Sequence, residues 1–93
     1  MDWNFVDPPN VAVFTTRKIM LGVDSITSVF HEADDGSWQF VSGEPWSTEC
    51  AAILALSEIV DIDPSVVELA DLPLGWRAWR TAKSDVWQRA KSD

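Results

Sequence analysis

The residues His31-Glu32-Ala33-Asp34-Asp35 form the one cluster that mixes metal-ligating and proton-transferring side chains. A histidine beside a carboxylate could bind a metal or move a proton. On a strand, however, His31 and Glu32 point to opposite faces. Two aspartates followed by Gly36 are also what a hairpin loop requires. Metal binding or hydrolysis at His31 with its neighbouring acids is therefore the alternative, not the leading reading. The acidic run Asp61-Ile62-Asp63 with Asp71 invites comparison with a calcium loop. It lacks the glycine and the closing bidentate glutamate at the required spacing, so helix capping and a solvated face explain it. Cys50 has no base near it in sequence and opens an apolar run, whereas a reactive thiol needs a lowered pKa and exposure. With one His, one Cys and no Tyr, the usual parts for nucleophilic or general acid–base chemistry are missing. Acids are plentiful, yet no spacing singles out a carboxylate pair, and there is no glycine-rich phosphate loop. No catalytic residue, metal ligand or cofactor is assigned, and the chain reads as a binding protein, not an enzyme.

Charge gives a more specific lead. The sequence sums to −8, but residues 1–75 carry thirteen acids against Arg17 and Lys18, a balance of −11. Residues 76–93 carry five bases against Asp85 and Asp93, a balance of +3. No Lys or Arg lies between Lys18 and Arg77, a gap of 58 residues. An acidic body of this kind repels nucleic acid and anionic membranes and attracts a basic partner or its own basic tail. The run Trp76-Arg77-Ala78-Trp79-Arg80, with Trp87 and Arg89 beyond, interleaves aromatics and bases as single-strand binders do. Against a body of −11, packing of its tryptophans and pairing of its arginines with acids is the better reading.

The elements that must position these groups fit one domain. Ninety-three residues with 46% apolar content make one small globular unit. Such a chain buries roughly 60–65% of its unfolded surface, and six tryptophans and four phenylalanines help fill the core. A single cysteine fits a reducing compartment, and neither a signal-peptide pattern nor an apolar run of membrane length is present, so a cytoplasmic location is expected. Residues 1–10, with Pro8 and Pro9, read as an extended lead-in, 11–80 as the domain, and the stretch from about Thr81 to residue 93 as a loosely held basic tail. Val11–Thr16 reads as a strand, Arg17–Leu21 as a helical turn stopped by Gly22, and Ser25–Glu32 with Ser37–Ser42 as a hairpin closed at Asp34-Asp35-Gly36. Gly43 to Trp46 reads as a loop. Residues 47–56 stay ambiguous: a strand at 51–55 followed by a helix from Ser57 is favoured over a helix capped by Ser47 and running to Val60. Asp63-Pro64 restarts a helix, with Asp63 as its cap and Pro64 in its first turn. Trp76–Ala82 reads as a last helical turn, with Trp76 and Trp79 three apart. The order predicts an α+β fold: a mostly antiparallel sheet of about four strands with two or three short helices packed on one face.

The stretch Leu56 to Leu69, with Asp63-Pro64 at its centre, then Asp71-Leu72-Pro73-Leu74-Gly75 and Arg80, resembles a bacterial domain family labelled an immunity-protein class in polymorphic toxin systems. That family's pattern runs Leu-x-x-Ile-x-x-x-Asp-Pro, then Pro-x-Gly and a late Arg. The Val13-Phe14-Thr15-Thr16 and Gly36-Ser37-Trp38-Gln39-Phe40 strands and Gly43-Glu44 extend the resemblance, which covers roughly residues 11–80. It implies a small bacterial cytosolic protein that associates non-covalently with another protein. Complementary charge makes a basic partner the expectation. The candidate binding residues are Glu32, Asp34 and Asp35 at the hairpin, Trp46 as an aromatic anchor, Asp61, Asp63 and Asp71 near the helices, and Trp76 and Arg80 in the tail. A third option is a self-associating module, a homodimer in which the basic tail docks on a neighbour's acidic body.

Overall fold

The computed structural model describes residues 3–42 and 51–92. Expectations placed on Trp46, on Cys50, on the 43–46 loop and on capping by Ser47 lie outside these residues. The elements are β1 (Ala12–Thr16), α1 (Arg17–Met20), β2 (Ser28–His31), β3 (Trp38–Val41), β4 (Ala51–Ala55), α2 (Leu56–Ile62), a 3-10 helix (Pro64–Leu69), β5 (Trp76–Trp79) and β6 (Gln88–Lys91). The fold is α+β, as expected, but its sheet has six strands in the order β4-β1-β3-β2-β5-β6, and it is mixed. β1 and β3 run parallel, whereas the other neighbours are antiparallel. The parallel pair arises because α1 carries the chain past one strand position. β2 then lies antiparallel to β1's direction, and β3 turns back into the gap between them.

Local signals account for much of this. The β2–β3 hairpin closes where Glu32 N–H donates to Ser37 O (2.9 Å) and Gly36 N–H donates to Glu32 O (3.0 Å). Gly36 sits at φ 74°, a region side-chain-bearing residues avoid. Asp35 Oδ1 accepts the Ser37 N–H at 3.0 Å, a typical Asx turn. β4 and α2 occupy the favoured positions in the once-ambiguous stretch. The Glu58 carboxylate reaches back to accept the Ala55 N–H at 3.0 Å, one half of a capping box. Asp63 caps the next turn through Ser65 N–H (3.1 Å), with Pro64 in the first position. That element winds as a tighter 3-10 helix.

Two expectations are corrected. Residues 76–79 are a strand, not a helical turn. Gly75, at φ 80°, turns the chain so that its N–H donates to His31 O (2.7 Å), and Trp76 to Trp79 then pair along β2. As strand neighbours an odd number apart, Trp76 and Trp79 face opposite sides of the sheet. The free edge of β2, a distant partner, outweighs the three-residue spacing of the tryptophans. The chain beyond Thr81 is not a loose tail either: it returns as β6, pairs with β5, and ends with Ser92 N–H on Gly75 O (2.7 Å).

The core lies between one face of the sheet and the helices. Val13, Val29, Trp38, Phe40 and Ala78 from the strands join Ile19, Leu56, Ile59, Val66 and Leu69 from the helical segments. The lead-in takes part as well. Phe5 is buried against the edge of Trp38 at 5.4 Å between centroids, and Trp3 tilts onto Phe5. Trp87 packs on the same core from the other terminus. Among the described residues, no helix is long and apolar enough to cross a membrane.

Candidate functional site

The hairpin end of the sheet collects most of the residues singled out from sequence. The strand registers place Trp38, His31, Trp76 and Lys91 side by side in one row across β3, β2, β5 and β6. His31 is half-buried in this row. Its ring stacks on Trp38 with centroids 3.8 Å apart and planes 12° from parallel. Its Nδ1 lies 2.7 Å from Leu72 O. A carbonyl only accepts, so Nδ1 carries the proton and, in the neutral ring, Nε2 keeps the lone pair. The hydrogen-bond partner of His31 is thus a backbone carbonyl, not one of the neighbouring carboxylates. Among the described residues, no three His, Cys, Asp or Glu side chains gather where they could hold a metal ion.

Two hollows open on either side of His31. One, of about 430 Å³, is mostly apolar: Val6, Trp38, Leu72 and Leu74 line it, with Asp7 and Asp71 among its polar groups. Gly36, next to Asp34 and Asp35 at the hairpin tip, also borders it. The other, of about 370 Å³, is more polar and is lined by Glu32, Trp76, Arg77 and Lys91. Asp7 is a structural hinge of the first hollow: its Oδ2 accepts the Trp38 indole N–H at 2.7 Å, and its backbone O accepts the Trp3 indole N–H at 2.6 Å. Nothing in the sequence marked Asp7, because its partner lies 31 residues away and the Asp7-Pro8-Pro9 run reads only as an extended segment.

The fates of the sequence-chosen residues differ. Glu32, Asp34, Asp35, Asp71 and Trp76 come together at this end, with Asp34, Asp35 and Asp71 exposed. Hydrogen bonds from Ser37 hold the Asp35 carboxyl below its ordinary value. Asp71 is held low by the hydrogen bond and the charge of Arg89, whose Nη1 lies 2.9 Å from Asp71 Oδ1. Asp61 is exposed on α2, away from both hollows.

Asp63 and Arg80 leave the binding surface altogether, since they are 3% and 5% exposed and pair with each other inside the fold. Arg80 places all five of its N–H groups. Nε and Nη2 donate to Ile26 O, Nη1 to Ser65 Oγ and Lys83 O, and Nη2 also to Asp63 Oδ2. The Trp87 ring covers the guanidinium at 4.0 Å. Burial acts to raise the Asp63 carboxyl, but hydrogen bonds from Ser65 and Arg80 together with the Arg80 charge outweigh it, and the group is held low. A buried charge is tolerated only when its bonding capacity is filled, which this cluster achieves. It ties the β2 approach, the 3-10 helix and the 80–87 loop to one another.

Comparison with models of known protein families, with curated proteins and with solved structures finds no match.

Proposed function

We propose that this chain is a small bacterial cytosolic binding protein of the immunity-protein type, acting by non-covalent association through the acidic hairpin end of its sheet. One observation carries the reading. Carboxylates far apart in sequence, Glu32, Asp34, Asp35 and Asp71, share one end of the molecule with two hollows and a half-buried tryptophan, Trp76. The apolar hollow, whose charged lining is acidic with neither Lys nor Arg, suits a partner of opposite charge, which the acidic hairpin tip also steers into place. Catalysis is not required, because occluding the partner is enough. The basic tail supports this reading over self-association, because Arg80 and Arg89 engage Asp63 and Asp71 of their own chain.

The test uses the whole chain as immobilised bait in extract of its native cell. A second bait carries Asp34→Lys with Asp35→Lys, and a third carries Asp61→Lys. The proposal expects a basic protein retained by the wild type and by the Asp61 variant and lost from the tip variant. Retention of no basic protein, or equal retention by all three baits, overturns it.

A further inference from the structure

The 430 Å³ hollow beside His31 has the chemistry of a receptor for one kind of group. Its size falls within the range of about 300–1,000 Å³ usual for ligand pockets. Its wall is apolar, and two of its lips, Val6 and Leu74, are exposed apolar side chains at 99% and 55%. The charged groups that line it are the carboxylates of Asp7 and Asp71, and neither Lys nor Arg does so. His31 contributes a ring whose Nδ1 donates to Leu72 O, which fixes its orientation in the wall. An anion would meet two carboxylates there. A purely apolar group would strip water from them without replacing its hydrogen bonds. A bare metal ion would find no cluster of three ligands among the described residues. A cation on an aliphatic stem satisfies both parts of the lining, the stem against the apolar wall and the head against the acceptors. The chain itself shows that the rim takes such a head: Arg89 places Nη1 on Asp71 Oδ1 at 2.9 Å and Nη2 on Glu68 O at 2.8 Å.

We infer that this hollow receives an arginine or lysine side chain of the partner, with Asp7 as the principal counter-charge and the His31 ring in the wall beside it. The inference rests on the reading of the chain as a binder of a basic protein and names the contact that reading lacks. Asp7 is well placed for the role. One of its oxygens is fixed by the Trp38 indole, and among the described residues the other accepts no hydrogen bond.

The Trp38 indole N–H, bonded to Asp7, gives a built-in reporter in a nitrogen–proton NMR spectrum. The probes are N-acetyl-arginine methylamide and its neutral isostere, N-acetyl-citrulline methylamide. The arginine probe is expected to shift the Trp38 indole signal saturably and to bind about tenfold more tightly than the citrulline probe, the effect of one charge-assisted contact. Asp7→Asn, which keeps an acceptor for the indole, is expected to abolish that preference. Should that variant not fold, Asp71→Asn, which removes the lesser lining charge, is expected to reduce the preference, and an undiminished preference there overturns the inference as well. Equal binding of the two probes, an unmoved Trp38 signal, or a preference that survives in the variant overturns the inference. The two readings fail separately. A basic protein lost on tip substitution, with no arginine response at Trp38, removes this inference alone. An arginine response in a chain that retains no basic protein removes the functional reading alone.

Discussion

Replacing Asp63 by alanine should come close to unfolding the protein. The substitution leaves the Arg80 guanidinium inside the fold, 5% exposed, with its counter-charge gone. It also removes the cap that holds Ser65 N–H at the start of the 3-10 helix. Loss of one partner from a buried ion pair costs about 3–5 kcal/mol. Part of that is the cap, typically about 1 kcal/mol. A domain of this size holds about 5–15 kcal/mol in all, and each kcal/mol moves its melting temperature by about 4–8 °C. The Asp63→Ala variant should therefore melt at least about 12 °C below wild type. Asp63→Asn, which can still accept from Ser65 but carries no charge, should fall between the two. Thermal unfolding followed by circular dichroism and by tryptophan fluorescence measures this, the latter because Trp87 lies on the Arg80 guanidinium. A shift within about 4 °C, as an exposed surface substitution gives, would refute the assignment of Asp63 and Arg80 as internal supports.

The same carboxylate predicts acid sensitivity. Asp63 titrates below its ordinary 3.8 in the fold, so its contribution is complete above that pH and disappears as pH falls through the lower, folded value. The stability gap between wild type and Asp63→Asn should accordingly close below pH 3.8 in urea titrations, and a gap that stays constant would contradict it. Gly36→Ala should cost about 1–2 kcal/mol in a urea melt, because the residue sits at φ 74° while the nearest atom to a new Cβ, on Leu74, leaves ordinary room. An unchanged midpoint would argue against this hairpin turn. Removing residues 84–93 deletes β6 and takes Trp87 off Arg80, so the truncated chain should melt far below wild type. A loosely attached tail would leave the melting temperature where it was.

How far the sequence discloses the molecule depends on whether the deciding contacts are local. The β2–β3 hairpin, β4 with α2, and the Asp63-capped turn carry their instructions within a few residues: alternation, Gly36, Pro64, Asp63. β5 and β6 do not. The 76–79 segment becomes a strand because β2 offers a free edge 45 residues back along the chain, as in the His31–Trp76 pair, and β6 then needs β5. The parallel pairing of β1 with β3 is equally invisible to local pattern. At the site, loop chemistry marked Asp34 and Asp35 as exposed acids, and the adjoining Gly36 lines the same hollow as Asp71. The pairing of Asp63 with Arg80 across 17 residues, and of Asp7 with Trp38 across 31, left no trace in spacing. Two residues chosen as surface groups thus belong to the interior, while Asp7, passed over as part of a lead-in, borders the hollow.

A basic partner is expected to meet the hairpin end. The most direct measurement is a backbone and indole NMR map of the labelled chain titrated with the basic protein retained in the capture experiment. Perturbations centred on His31 to Gly36, the Trp38 indole and residues 70–76 are expected. Perturbations centred on Asp61 and the rest of α2, with the hairpin end silent, would contradict that expectation.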